Sequence, residues 1–269
     1  MSTPAKTFPM WAIISLLTNG LLLLTVILLL QRQQGWTAFL GATRINPNTE
    51  IETITPQLGP RHKLNYQQWL GILDREAKVV VQKRPQNLTI LAGDSLSLWF
   101  PGELLPANKH WLNQGVSGES SAGLLKRLKL FDKTQPKTIF VMIGINDLIR
   151  GAKEKKILEN QRQIMVYLRK THPQAKIVIQ SILPHGGKDA TWEGKEKLLK
   201  LPNSRIRKLN QQLQAIATKE RVKYLDLYSL FANKQGNLRL ELTTDGLHLS
   251  SQGYLVWGSA LQLYNQIQL

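Results

Sequence analysis

From residue 64 onward, two periodicities take turns along the chain. NLTILA (87–92), HWLNQG (110–115), KTIFVMIG (137–144), KIVIQSIL (176–183) and KYLDLY (223–228) are short runs, several of them continuous in Ile, Val and Leu. Such runs suit strands covered on both faces, where neither side chain direction meets water. Between them, residues 120–132, 154–171 and 205–220 return apolar side chains every three or four positions, as one face of a helix requires. Residues 252–266 close the chain with a further helix, and 64–83 precede the first strand with Leu64, Trp69, Leu73 and Val80 on one face. Strand alternating with helix in this way predicts a doubly wound α/β fold built on a mostly parallel, five-stranded sheet.

The amino-terminal part follows another pattern. Residues 10–30, MWAIISLLTNGLLLLTVILLL, contain no charged side chain, and about 20 apolar residues suffice to cross a ~30 Å hydrocarbon core. The run exceeds the about 7–15 residues of a signal-peptide core, and QRQQGW follows with no small-x-small cleavage pattern. We therefore expect a single uncleaved transmembrane helix within residues 1–31. Residues 32–62 show no periodicity and are punctuated by Gly35, Gly41, Pro47, Pro56, Gly59 and Pro60, which predicts a linker to a folded domain at 63–269. A short amino-terminal tail retained in the cytoplasm would put that domain on the periplasmic side.

Composition changes this picture in two respects. The formal net charge of +17 suits an anionic lipid surface or an acidic polymer as partner. Zinc-finger spacing, an aromatic RNP-like signature and an arginine-rich recognition helix are all missing, so no specific nucleic-acid partner is expected. The chain has no cysteine, which excludes disulfides, thiolate metal sites and a cysteine nucleophile.

Four polar, glycine-bearing turns follow the predicted strands or precede the last helix: Gly93-Asp94-Ser95, Gly115-Val116-Ser117-Gly118-Glu119, Gly144-Ile145-Asn146-Asp147 and Asp245-Gly246-Leu247-His248. In a parallel sheet, such turns gather at the carboxyl edge, where sites form. Their side chains are those of acyl transfer through a serine. A hydroxyl such as Ser95 needs a neighbouring imidazole to take its proton. His248 can do so, with Asp245 orienting the ring and stabilising the imidazolium. The oxyanion that develops needs fixed donors, for which the backbone N–H groups of Ser95 and Gly118 and the amide of Asn146 are candidates. Taken alone, Ser95 reads more readily as a helix N-cap or a turn residue.

These blocks, GDS, GVSGES, GIND and DGLH in that order, resemble those of the SGNH hydrolases, the GDSL esterase/lipase family. The resemblance covers roughly residues 88–269. It implies a three-layer flavodoxin-like fold, Ser95 as nucleophile, His248 as general base, and no requirement for a metal or other cofactor. The second block offers both Gly115 and Gly118, and the serine and acidic residue around Gly118 align better with the family. Trp99 and Phe100, just past Ser95, and Trp192, in the long segment between Pro184 and Pro202, are candidates to line a substrate pocket. The expected activity is hydrolysis of an acyl or acetyl ester of a lipid, small molecule or glycan. Transfer of the acyl group to an envelope polysaccharide, and non-enzymatic binding of anionic lipid or polymer, are the alternatives.

Overall fold

The computed structural model describes residues 15, 18–20 and 64–267. The expected membrane anchor and linker lie almost entirely outside the described residues. No helix among those described is long and apolar enough to cross a membrane.

The folded unit is a five-stranded sheet: β1 (Leu88–Gly93), β2 (His110–Gly115), β3 (Thr138–Met142), β4 (Lys176–Gln180) and β5 (Lys223–Leu225). Every neighbouring pair is parallel and the order is β2-β1-β3-β4-β5. This is the doubly wound arrangement whose strand order reverses beside β1, so a crevice opens past the carboxyl ends there. The nine helices among the described residues are α1 (Tyr66–Lys83), α2 (Ser95–Leu98), α3 (Ser121–Arg127), α4 (Ile145–Ile149), α5 (Glu154–Thr171), α6 (Lys195–Leu199), α7 (Asn203–Lys219), α8 (Tyr228–Phe231) and α9 (Ser251–Ile267).

Strand alternation sorts side chains into two cores. Ile90, Ala92, Ile139, Val141, Ile177 and Ile179 meet Leu124, Ile164, Met165, Leu168 and Leu213 from α3, α5 and α7. Leu91, Phe140, Met142 and Val178 face the other way, onto Phe231, Tyr254, Trp257 and Leu261 from α8 and α9. Every residue of β1 and β3 is buried, which explains their unbroken apolar spelling.

Several elements are shorter than their sequence patterns. The helix expected over 120–132 is α3 followed by a 3-10 turn at Leu128–Phe131. The tighter turn aligns residues three apart, which lets Leu128 and Phe131 both enter the core. The run at 223–228 forms a strand only to Leu225. Ser181 Oγ then accepts the backbone N–H groups of Leu227 and Tyr228, both at 2.8 Å, and draws the chain into α8. Helix α1 packs Trp69 and Leu73 against Val116, beyond edge strand β2.

Candidate active site

Strand β1 ends at Gly93 and the chain turns at once into α2. Asp94 rather than Ser95 caps that helix: its Oδ1 accepts the Leu96 N–H at 3.0 Å. Capping therefore does not account for Ser95, which is the first helical residue and is 7% exposed. The two glycines of the second block have different duties. Gly115 is a contact glycine, since a Cβ there would lie 2.3 Å from the Leu98 backbone nitrogen. Gly118 has φ +70°, a left-handed conformation that disfavours other residues, and forms the turn itself.

A buried set of polar groups fastens the ends of β1, β2 and β3 together. The Glu119 carboxylate accepts from Arg127 Nε (2.7 Å), Ser120 N–H (3.0 Å) and Tyr66 Oη (3.1 Å). Arg127 Nη2 in turn donates to Gly93 O at 3.0 Å, just ahead of Asp94-Ser95. Asn146, on α4, donates from Nδ2 to Glu119 O at 3.1 Å, leaving its second amide N–H available. One residue further, buried Asp147 accepts both Ser121 N–H (2.8 Å) and Ser121 Oγ–H (2.7 Å). Ser95, Gly118 and Asn146 thus sit on turns tied to one another by charge-assisted bonds.

Asp245 and His248 come from the loop ahead of α9. His248 Nδ1 lies 2.7 Å from Asp245 Oδ2, while Asp245 Oδ1 accepts the backbone N–H groups of Leu247 (2.9 Å) and His248 (2.7 Å). Burial alone would raise the Asp245 pKa, but hydrogen bonds from the His248 ring and these two backbone groups outweigh it and hold the carboxyl below its ordinary value. The imidazole packs against Trp99 in a tilted arrangement, with ring centroids 4.4 Å apart and planes at 44°. Trp99 N–H donates to Ser95 O at 3.0 Å, so its side chain stands one turn beyond Ser95. Among the described residues no hydrogen bond joins Ser95 Oγ to His248. In an enzyme without substrate such contacts are often long and tighten when the reacting groups arrive.

Asp94 lies on the same side of the site. Burial pushes its carboxyl up to about 7, against the opposing pull of the Leu96 N–H and of His248, while nearby Asp147 and Glu119 push it further up. A protonated, uncharged carboxyl is the form this setting favours below neutral pH.

The segment between Pro184 and Pro202 is a support for the Asp245 turn. Thr191 and Trp192 N–H both donate to Asp245 O, at 2.8 and 2.9 Å, and Gly186 N–H donates to Gly246 O at 2.7 Å. Gly246 has φ +87°, and a Cβ on it would lie 2.5 Å from the Ala190 Cβ. His185 is buried, its Nδ1 accepting Gly187 N–H while its Nε2 faces Leu201 O; burial lowers its pKa. It is a structural histidine of this loop. Trp192 is half-buried against the small core around Ile145 and Leu201. Phe100 is buried between Tyr254 and Trp257, at 5.2 and 4.9 Å, which makes it a core residue rather than a pocket lining. Trp99 alone of the three aromatic candidates touches the proposed chemistry.

The sequence reading missed Glu119, Arg127, Tyr66 and Asp147 as determinants of this geometry. Spacing gave no signal for the pair: Glu119 precedes the Ser120 cap of α3 and Arg127 ends that helix, and only the turn ahead of the cap folds the carboxylate back onto the guanidinium. Among the described residues, no group of three or more His, Asp or Glu side chains is placed to hold a metal ion. A cleft of about 750 Å³ opens at the other edge of the sheet, near Arg84, Lys137 and His172, and contains none of the site residues.

Residues 92–256 match the GDSL-like lipase/acylhydrolase family. The chain belongs to that family. As a GDSL-like acylhydrolase it is an ester-hydrolysing enzyme with the three-layer α/β fold described above. It is 27% identical over 197 residues to platelet-activating factor acetylhydrolase IB subunit alpha1 of Rattus norvegicus, covering 69% of this chain and 77% of that protein. It is 29% identical over 200 residues to the N-acylneuraminate cytidylyltransferase of Streptococcus agalactiae serotype III, covering 72% of this chain. There the match spans 44% of the relative, less than half its length. Among solved structures, a platelet activating factor protein from Streptococcus pneumonia superposes with a TM-score of 0.65 at 25% identity, covering 74% of this chain and 93% of its own.

Proposed function

We propose that this acylhydrolase cleaves an acyl or acetyl ester through Ser95, His248 and Asp245. The observation that carries the proposal is the Asp245–His248 pair at 2.7 Å, with its ring held on Trp99 at 4.4 Å, one helical turn from Ser95. Asp245 accepts a hydrogen bond from Nδ1–H, which leaves the Nε2 lone pair to receive the proton of Ser95 Oγ as that oxygen bonds to the ester carbon. The negative charge that gathers on the carbonyl oxygen meets the N–H groups of Ser95 and Gly118 and the spare amide N–H of Asn146. The imidazolium then returns its proton to the departing alkoxide, giving the alcohol and an acyl-serine. Water, deprotonated by the same Nε2, releases the acid and restores Ser95.

The test is labelling with a fluorophosphonate followed by mass-spectrometric mapping. Modification at Ser95, together with loss of p-nitrophenyl ester turnover in Ser95→Ala, supports the assignment; parental turnover in Ser95→Ala ends it. Residues 10–30 complete the proposal as a membrane anchor, supported by their uncharged run. Full-length protein should then stay in the membrane fraction after alkaline carbonate washing, while a chain beginning at residue 63 should be released.

A further inference from the structure

Arg150 stands where the two donor-bearing turns meet. It ends α4, its backbone N–H donating to Asn146 O at 3.1 Å. Its side chain crosses to the second block, where Nη2 donates to Gly118 O at 2.6 Å. A Cβ on Gly118 would lie 3.3 Å from the same nitrogen, so the guanidinium and the turn are in close contact. The residue is exposed.

Beside the candidate donors, this arginine carries no counter-charge, unlike the other arginine of the site. Arg127, deeper in the same site, is neutralised by Glu119. On the surface, Arg162, Arg205 and Arg239 all have glutamates within 4 Å. Arg150 has no carboxylate within that distance among the described residues, and its other guanidinium N–H groups have no partner there. A backbone carbonyl therefore fixes the orientation of the fork without cancelling its charge. That is a suitable arrangement for a planar, bidentate contact with a carboxylate or phosphate.

Resting on the reading of Gly118 and Asn146 as oxyanion donors, we propose that Arg150 binds an anionic group of the substrate. The preferred substrates are then esters that carry a carboxylate or phosphate close to the scissile bond. Such a group enters from either side of the ester, on the acyl chain or on the alcohol. The overall positive charge of the chain would add to the capture of such substrates.

The test compares matched pairs of esters. For the acyl side, the pair is the 4-nitrophenyl monoester of glutaric acid and 4-nitrophenyl pentanoate. For the alcohol side, it is 4-acetoxybenzoate and its methyl ester. The quantity read is the kcat/KM ratio of the anionic to the neutral member, in the parent, Arg150→Gln and Arg150→Lys. We expect Arg150→Gln to lower that ratio about 10- to 100-fold in one pair, mainly through KM, as fits loss of a charged hydrogen bond. Arg150→Lys, which keeps the charge but not the fork, should fall between. The parent's ratio should also shrink as salt is raised. The pair that responds identifies the side that bears the anion. Equal losses for both members of both pairs would show that Arg150 only positions Gly118 and would overturn the proposal, as would ratios that do not change. Thermal melting of Arg150→Gln controls for folding. Ser95→Ala, measured on all four esters, keeps the two readings apart: turnover surviving there sinks the serine assignment, whereas its loss with unchanged Arg150 ratios sinks the anion site alone.

Discussion

The two halves of the candidate site are secured by different physics. Around Ser95, Gly118 and Asn146 the restraint is buried charge: Glu119 and Arg127 are paired at 2.7 Å with side chains only 4% and 2% exposed, and their remaining atoms reach Gly93 and Tyr66. Around Asp245 and His248 it is backbone hydrogen bonding and close approach, with the 186–192 loop gripping Asp245 O and Gly246. The first half belongs to the carboxyl edge of the sheet and shares its rigidity. The second lies on a loop outside the sheet and is partly open, His248 and Asp245 being 15% and 26% exposed. On the proposed assignment, a site divided in this way fixes the groups that would receive developing charge and leaves the proton carrier on the more accessible side.

Four substitutions sharpen the comparison. Asp245→Asn should cost the largest amount, about 10³- to 10⁴-fold in kcat, with little change in melting temperature, because it removes the orienting acceptor of His248 without uncovering a core. Steady-state kinetics and thermal unfolding of one preparation check both parts. Arg127→Met should do the reverse, destabilising the fold by about 3–5 kcal/mol by leaving Glu119 as an unpaired buried charge. In denaturant unfolding, the double variant Arg127→Met/Glu119→Leu should recover much of that loss; a double variant no more stable than the single one would contradict the account.

Asp94 sets a pH dependence. Its carboxyl is raised from 3.8 to about 7 in the folded state, so between these values the folded chain binds more protons than the unfolded one. The stability associated with the protonated group is complete below about pH 4 and is lost as pH rises through about 7, a change of up to about 4 kcal/mol. Asp94→Asn should flatten the stability–pH curve over that window, as measured by urea unfolding from pH 4 to 8. The smallest effect belongs to the base's half. Gly246→Ala should cost about 1–3 kcal/mol in urea unfolding, through its left-handed backbone and its collision with the Cβ and the backbone Cα of Ala190.

Much of this architecture was legible because the periodicity was clean. Ile90, Ala92, Ile139 and Val141 alternate with Leu91, Phe140 and Met142, and each set found its own core. The first three turn blocks reached one edge because parallel strands all end on the same side, whereas the fourth lies on the loop ahead of α9. What remained hidden depends on partners far away in sequence. Nothing near Phe100 announces that Tyr254 and Trp257 will enclose it. Nor does the glycine-bearing segment at 184–202 reveal that its N–H groups will hold a carbonyl some 50 positions downstream. Ser95 is ambiguous locally in the same manner: a serine before a helix reads as a cap, and only the folded chain shows the neighbouring aspartate doing that work.

Helix α1 has a practical consequence. It precedes the family-matched residues 92–256, yet Leu73 O accepts Gln114 Nε2 at 3.3 Å and Tyr66 Oη reaches Glu119 at 3.1 Å. Expression trimmed to the family-matched region would strip a side wall from edge strand β2, baring Val116 and removing one partner each from two buried polar groups. Kinship and autonomous folding draw different borders on this polypeptide, and the second begins no later than Asn65, whose side chain caps α1.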